Sequence, residues 1–219
     1  MPNLKERLIE SIIHSIIIMT ISLFITYIVI INSYNTFWLS LFSFIGVIFL
    51  MIYIKKPYKK EYLVINSWLC MISIIFIGSL IGRFISLSSL ITCSISVAIF
   101  DIISFTKIGS KTANARVMSN KNLMAKLIVY GKSFKNNNPI PTKGLGDFLY
   151  YTILLSGIYK VSSDSNFVLY GTGLIFLGCT INWIIVCFIY NKKWYKGFPA
   201  TFIPLISVVP LFLKLMDLS

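Results

Sequence analysis

Long apolar runs separated by short polar breaks fill the chain from about residue 8 onward. The runs are continuous rather than alternating. Several reach 18 residues or more, the length a helix needs to cross a ~30 Å hydrocarbon core. Lipid offers backbone groups no partners, so only helices and closed barrels span it, and unbroken runs select helices. The pattern predicts an all-α polytopic membrane protein of about seven spans, at 8–32, 37–54, 62–82, 84–104, 145–161, 167–190 and 198–216. No Ser/Gly linker or shift of composition divides the chain, so 1–219 reads as a single membrane domain. The polar start is followed by an apolar run too long for a signal-peptide core, and 8–32 reads as a retained first span.

The one long polar connection is 105–143. Long connections are often functional. Its middle, from Thr112 to Tyr130, is expected to form an amphipathic helix. Val117, Met118, Leu123, Met124, Leu127 and Ile128 would share one face, with Lys121 and Lys126 towards an anionic surface. A cytoplasmic loop with some helix is the plainer expectation. The stretch 136–141, Asn-Asn-Asn-Pro-Ile-Pro, is expected to be extended or turn-like, since residues before proline avoid the helical region.

Composition sharpens this picture. Hydrophobic residues make up 57% and charged residues 12%, about half the charged fraction of a soluble domain. Mean hydropathy is +0.83. The net charge of +13 does not indicate nucleic acid, because the basic residues lie between apolar runs. Alternate ends of the spans hold 17 of the 20 Lys and Arg. That asymmetry predicts a cytoplasmic N-terminus, an outer C-terminus and an odd number of spans. Cys70, Cys93, Cys179 and Cys187 fall inside apolar runs with no metal-ligand spacing and read as small hydrophobes. Trp38, Trp68, Trp183 and Trp194 read as interface anchors or packing, and Glu10 with His14 as an interfacial polar pair.

Of the seven acids, only Asp101 and Asp147 belong to span interiors. A carboxyl there costs ~2.5–3.5 kcal/mol on insertion scales and marks a functional candidate. Asp101 lies three residues before the end of the fourth span and Asp147 about two residues into the fifth. Those spans run in opposite directions, so at 1.5 Å per residue both acids fall ~5–10 Å beneath the cytoplasmic surface. Facing carboxyls at low dielectric share a proton and titrate in two separated steps. Aspartic proteases use that arrangement to activate water without a metal.

Gly144-Leu145-Gly146-Asp147 opens the fifth span and Phe198-Pro199-Ala200-Thr201 the seventh, both on the cytoplasmic side. Glycine admits a second backbone, which an unwound substrate requires. Pro199, Pro204 and Pro210 leave carbonyls unpaired and are expected to bend or break their helix. Broken helix ends at membrane depth usually line a cavity.

With these residues the chain resembles the presenilin and signal-peptide-peptidase family of intramembrane aspartyl proteases. Phe100-Asp101 resembles the family's Tyr-Asp motif. Gly144-Leu145-Gly146-Asp147 resembles its Gly-Leu-Gly-Asp segment, and Pro199-Ala200-Thr201 its Pro-Ala-Leu motif. The stretch from Asp101 through Lys107 to Lys111 reads like archaeal presenilin homologues. Likeness is strongest over 96–155 and 197–205. Phe100 stands where the family carries Tyr, and Thr201 where it carries Leu.

The resemblance implies that the seven spans match the third to ninth of presenilin. It implies an endopeptidase that cleaves single-span membrane proteins within the bilayer. Asp101 and Asp147 would be catalytic, while Gly144, Leu145, Gly146, Pro199, Ala200 and Thr201 would bind substrate. No cofactor and no metal are implied, and accessory subunits are not expected. Residues 138–144 would offer an edge on which unwound substrate pairs as a strand. Ile-, Lys- and Asn-rich usage points to an AT-rich prokaryotic genome and a plasma membrane, with the site near its cytoplasmic face.

Three other readings compete. An ion transporter or channel would use the two acids as a relay, but such folds often show inverted repeats and midplane sites. No repeat is visible here, and both acids sit near one face. Prepilin peptidases share the G-x-G-D motif in a different setting. A catalytically silent relative acting as a chaperone is the last.

Overall fold

The computed structural model describes residues 4–32, 36–57, 59–106, 109, 120–192 and 198–217. Helices α1 (Leu4–Asn32), α2 (Thr36–Lys55), α3 (Leu63–Phe84) and α4 (Leu87–Ser104) follow one another, with one 3-10 turn at Lys60–Tyr62 before α3. A short helix, α5 (Lys121–Lys126), leads into strands β1 (Ile128–Lys132) and β2 (Pro139–Gly144). Helices α6 (Leu145–Ser162), α7 (Ser165–Ile189) and α8 (Phe202–Met216) complete the described chain.

Among the described residues, five helices are long and apolar enough to cross a membrane: Glu6–Asn32, Thr36–Lys55, Lys60–Phe84, Leu87–Ser104 and Ser165–Ile189. The apolar helix Phe202–Met216 is shorter. It begins four residues later than the predicted span 198–216, because 198–201 is not helical. Pro204 falls in its first turn, where the missing N–H costs nothing. Pro210 is accommodated inside the helix on an exposed face. α6 stands outside those five for another reason. Ten of its 18 residues are buried against protein, where polar side chains such as Thr152 and Ser156 are tolerated because they find hydrogen-bond partners.

α3 packs closely on α6 and α7 on α8. A Cβ on Gly82 of α3 would stand 2.6 Å from the Ile153 carbonyl oxygen and from Ser156 Cβ. Ser156 Oγ donates to the Ser79 carbonyl at 2.7 Å. A Cβ on Gly178 of α7 would stand 2.5 Å from Pro204 Cα. Small residues admit such approach, which drives helix association where lipid removes the hydrophobic incentive.

The predicted helix over 112–130 is corrected. Positions 112–119 lie outside the described residues, helix holds only at Lys121–Lys126, and 128–130 are strand. Asn120 caps the short helix, its Oδ1 accepting from the amides of Asn122 and Leu123. β1 and β2 then pair antiparallel, with an irregularity between Val129 and Tyr130. Tyr130 lies opposite Pro141, which has no N–H to give. Its backbone is bonded instead to α3, the amide to Ser67 Oγ at 3.1 Å and the carbonyl from Trp68 Nε1 at 3.1 Å. The Pro141 carbonyl accepts from Ser11 Oγ of α1 at 2.7 Å.

Glu10 and His14 do not form the expected pair. Glu10 accepts from Ser133 Oγ and the Phe134 amide, and His14 stacks on Phe134 at 4.7 Å. Both are drawn to the turn of the hairpin, which neither could reach unless β1 and β2 existed. Lys135 beside them pairs with Glu6 at 2.8 Å.

Candidate active site

β2 runs straight into α6, with Gly144 both the last strand residue and the helix N-cap. Asp147 is therefore the third residue of the helix. A side chain there reaches back to the N-cap amide, and the Asp147 carboxyl does face the Gly144 N–H. Negative charge in a first turn also suits the helix dipole. Asp101 lies at the other kind of end, three residues before α4 stops at Ser104. Both acids are half-buried, and Asp147 lies within electrostatic reach of Asp101 and of Lys143.

The segment before α8 closes on Asp101. Asp101 Oδ2 accepts from the Thr201 amide at 2.9 Å and from Thr201 Oγ1 at 2.8 Å. Thr201 is itself buried. The preceding carbonyl, Ala200, accepts from the Tyr151 hydroxyl at 3.0 Å. Tyr151 belongs to α6, one turn beyond Asp147, so the non-helical segment is gripped from both acid-bearing helices.

Of the residues singled out in the sequence, Asp101, Asp147, Gly144, Ala200 and Thr201 gather at this junction. Pro199 precedes them in the same non-helical segment. Gly146 is exposed, and among the described residues nothing stands within 4 Å of where its Cβ would be. Leu145 differs. Its side chain turns into the core, and its amide donates to the Leu127 carbonyl at 2.8 Å.

No protein-family model, curated protein or solved structure matches the chain. The residues themselves carry the functional argument.

The structure adds three side chains that sequence reasoning passed over. Lys143 was counted only among the basic residues of the long connection, yet it is buried. Its Nζ donates to Tyr151 Oη at 3.2 Å and to Cys179 Sγ at 3.1 Å. It also lies over the rings of Tyr151 and Trp183, 4.7 and 5.7 Å from their centroids. The available signal was its place directly before Gly144-Leu145-Gly146-Asp147. Tyr151 and Cys179 had no signal, being an aromatic and a thiol within apolar runs. Among the described residues, no group of three or more His, Cys, Asp or Glu could hold a metal ion.

Proposed function

We propose that the protein is an intramembrane aspartyl endopeptidase that hydrolyses peptide bonds in the spanning segments of membrane proteins. One observation carries the reading. Two acids on separate apolar helices lie within electrostatic reach of each other, and Thr201 fixes the orientation of one of them.

The chemistry follows from the pair. One carboxylate takes a proton from a water between them as the water oxygen attacks the scissile carbonyl carbon. The other carboxyl gives its proton to the carbonyl oxygen, forming a tetrahedral diol. The first acid then gives its proton to the amide nitrogen while the second takes one back from a diol hydroxyl, so the C–N bond breaks, the carbonyl re-forms as a carboxylic acid and the one-proton pair is restored. Gly146 supports this reading because its open side leaves room for a second backbone beside Asp147. β2 supports a strand-like substrate, since it leads directly to the acid.

In this reading α1–α4 and α6–α8 are seven spans with the N-terminus inside and the C-terminus outside, comparable with the third to ninth of presenilin. α6 at 18 residues is about 27 Å long, enough to cross. The site then lies near the cytoplasmic face.

The test is incubation of the purified protein in detergent with a single-span substrate, beside Asp101→Asn and Asp147→Asn. Each substitution is expected to lower cleavage at least about a hundredfold, the usual worth of one acid–base group. Cleavage that survives either one overturns the pair. Ion flux in vesicles without any proteolysis would point to the transporter.

A further inference from the structure

Lys143 is an unusual side chain for its position. It is 7% exposed, and among the described residues no carboxylate lies within ion-pair distance of it. Burying an ammonium is expensive unless its protons are used. Here they are used on neutral partners, the Tyr151 hydroxyl and the Cys179 thiol, with two aromatic faces around it. Its charge is not cancelled by a carboxylate in contact, and its field extends to Asp147.

The bonds beyond Tyr151 continue in one direction. Lys143 Nζ donates to Tyr151 Oη, and Tyr151 Oη donates to the Ala200 carbonyl. The N–H of that same Ala200–Thr201 peptide unit donates to Asp101 Oδ2. A cation therefore stands at one end and a carboxylate at the other, with a hydroxyl and one peptide plane between them. Hydrogen bonds aligned in this way polarise one another, and low local dielectric strengthens them.

We propose that Lys143 and Tyr151 are positioning residues of the acid pair. Lys143 acts on Asp147 through its charge and on Asp101 through the donor chain of Tyr151 and the Ala200–Thr201 peptide. The proposal rests on the protease reading for its consequence in turnover, but the chain can be observed without turnover. The titratable groups around the Lys143 ammonium are Tyr151 and Asp147 of α6 and Cys179 of α7. Asp101 of α4 and Tyr150 of α6 adjoin that set.

The sequence supplies a reporter. Ala200–Thr201 is the single Ala–Thr step in the chain. Labelling alanine at the carbonyl carbon and threonine at nitrogen therefore isolates this one peptide in an NMR spectrum of the detergent-solubilised protein. Tyr151→Phe keeps the ring and removes the hydroxyl, and it is expected to move both the carbonyl and amide signals. Lys143→Met is expected to move them in the same sense, and Lys143→Arg to move them less. Signals unchanged in Tyr151→Phe and Lys143→Met overturn the chain, whether or not cleavage is detected.

Turnover provides the second measurement. Tyr151→Phe is expected to lower kcat about tenfold, the worth of one hydrogen bond of ~1.4 kcal/mol, with KM unchanged. Lys143→Met is expected to move the acidic limb of the activity–pH profile upward by about one unit, because a cation near the pair is lost. Lys143→Arg is expected to restore the limb. A limb that stays in place in a folded Lys143→Met protein overturns the role of the charge. Wild-type protein that cleaves nothing, while the Ala200–Thr201 signals shift as described, overturns the protease reading and supports the chain.

Discussion

Thr201 holds Asp101 through a single carboxylate oxygen, with its amide at 2.9 Å and its hydroxyl at 2.8 Å. The second oxygen of Asp101 is thereby aimed, because rotation of the carboxyl would break two bonds together. Hydrogen bonds to charged groups contribute ~1.5–3 kcal/mol each. Thr201→Val, which keeps the shape and loses the hydroxyl, is expected to lower kcat about tenfold or more. Thr201→Ser is expected to stay close to wild type, and steady-state cleavage of one substrate by the three proteins checks both.

The seating of α8 on α7 is expected to control the same carboxylate from a distance. A methyl at Gly178 would meet Pro204 Cα, three residues after Thr201, at 2.5 Å. Overpacking of this kind costs ~1–3 kcal/mol. Gly178→Ala is expected to lower both thermal stability in detergent and kcat. Gly173→Ala on the same helix, where nothing among the described residues stands within 4 Å, is expected to change neither.

Close approach outweighs hydrogen bonding in joining α3 to α6. The Ser156 bond to the Ser79 carbonyl is one interhelical hydrogen bond, and such bonds average ~0.6 kcal/mol in a membrane bundle. The Gly82 contact excludes a methyl outright, at 2.6 Å from a backbone oxygen. Gly82→Ala is therefore expected to cost more than Ser156→Ala, by ~1 kcal/mol or more. Unfolding of the two variants in mixed micelles decides the order.

The hairpin turn provides a prediction about pH. The Glu6 carboxylate accepts from Lys135 Nζ and holds the lysine above its usual range. Support from this pair is full below the ordinary lysine value and is lost as pH rises through the raised one. Titration of Nζ-labelled protein by NMR is expected to show Lys135 among the last lysines to lose its proton. Glu6→Gln is expected to bring it back among the exposed lysines. Because the pair is exposed, added salt should have a similar effect.

All seven long helices lie within four residues of where apolar runs placed them, since length and continuity of hydrophobicity decide where such a helix runs. The acids were also legible, because a carboxyl in such a run stands out on its own. β1 was not. Leu127 and Ile128 also continue the helical face begun at Leu123 and Met124, and the short apolar run Leu127-Ile128-Val129-Tyr130 does not by itself distinguish helix from strand. What selects the strand is non-local: β2, Ser67 and Trp68 of α3 supply its partners. Lys143, Tyr151 and Cys179 were hidden for a related reason. They meet across β2, α6 and α7, and a charge count or an apolar run records none of their contacts.

The link to Asp101 through the Ala200–Thr201 peptide has a consequence for how this site can drift over generations. The bond is made by main chain, so exchanging the side chain at 201 leaves it standing. Threonine at 201 makes this bond with its amide and adds a hydroxyl contact of its own. Only proline, which has no N–H, deletes it in one step. Comparing side chains alone would rate position 201 as permissive. Its single forbidden residue would be the mark of what the position does.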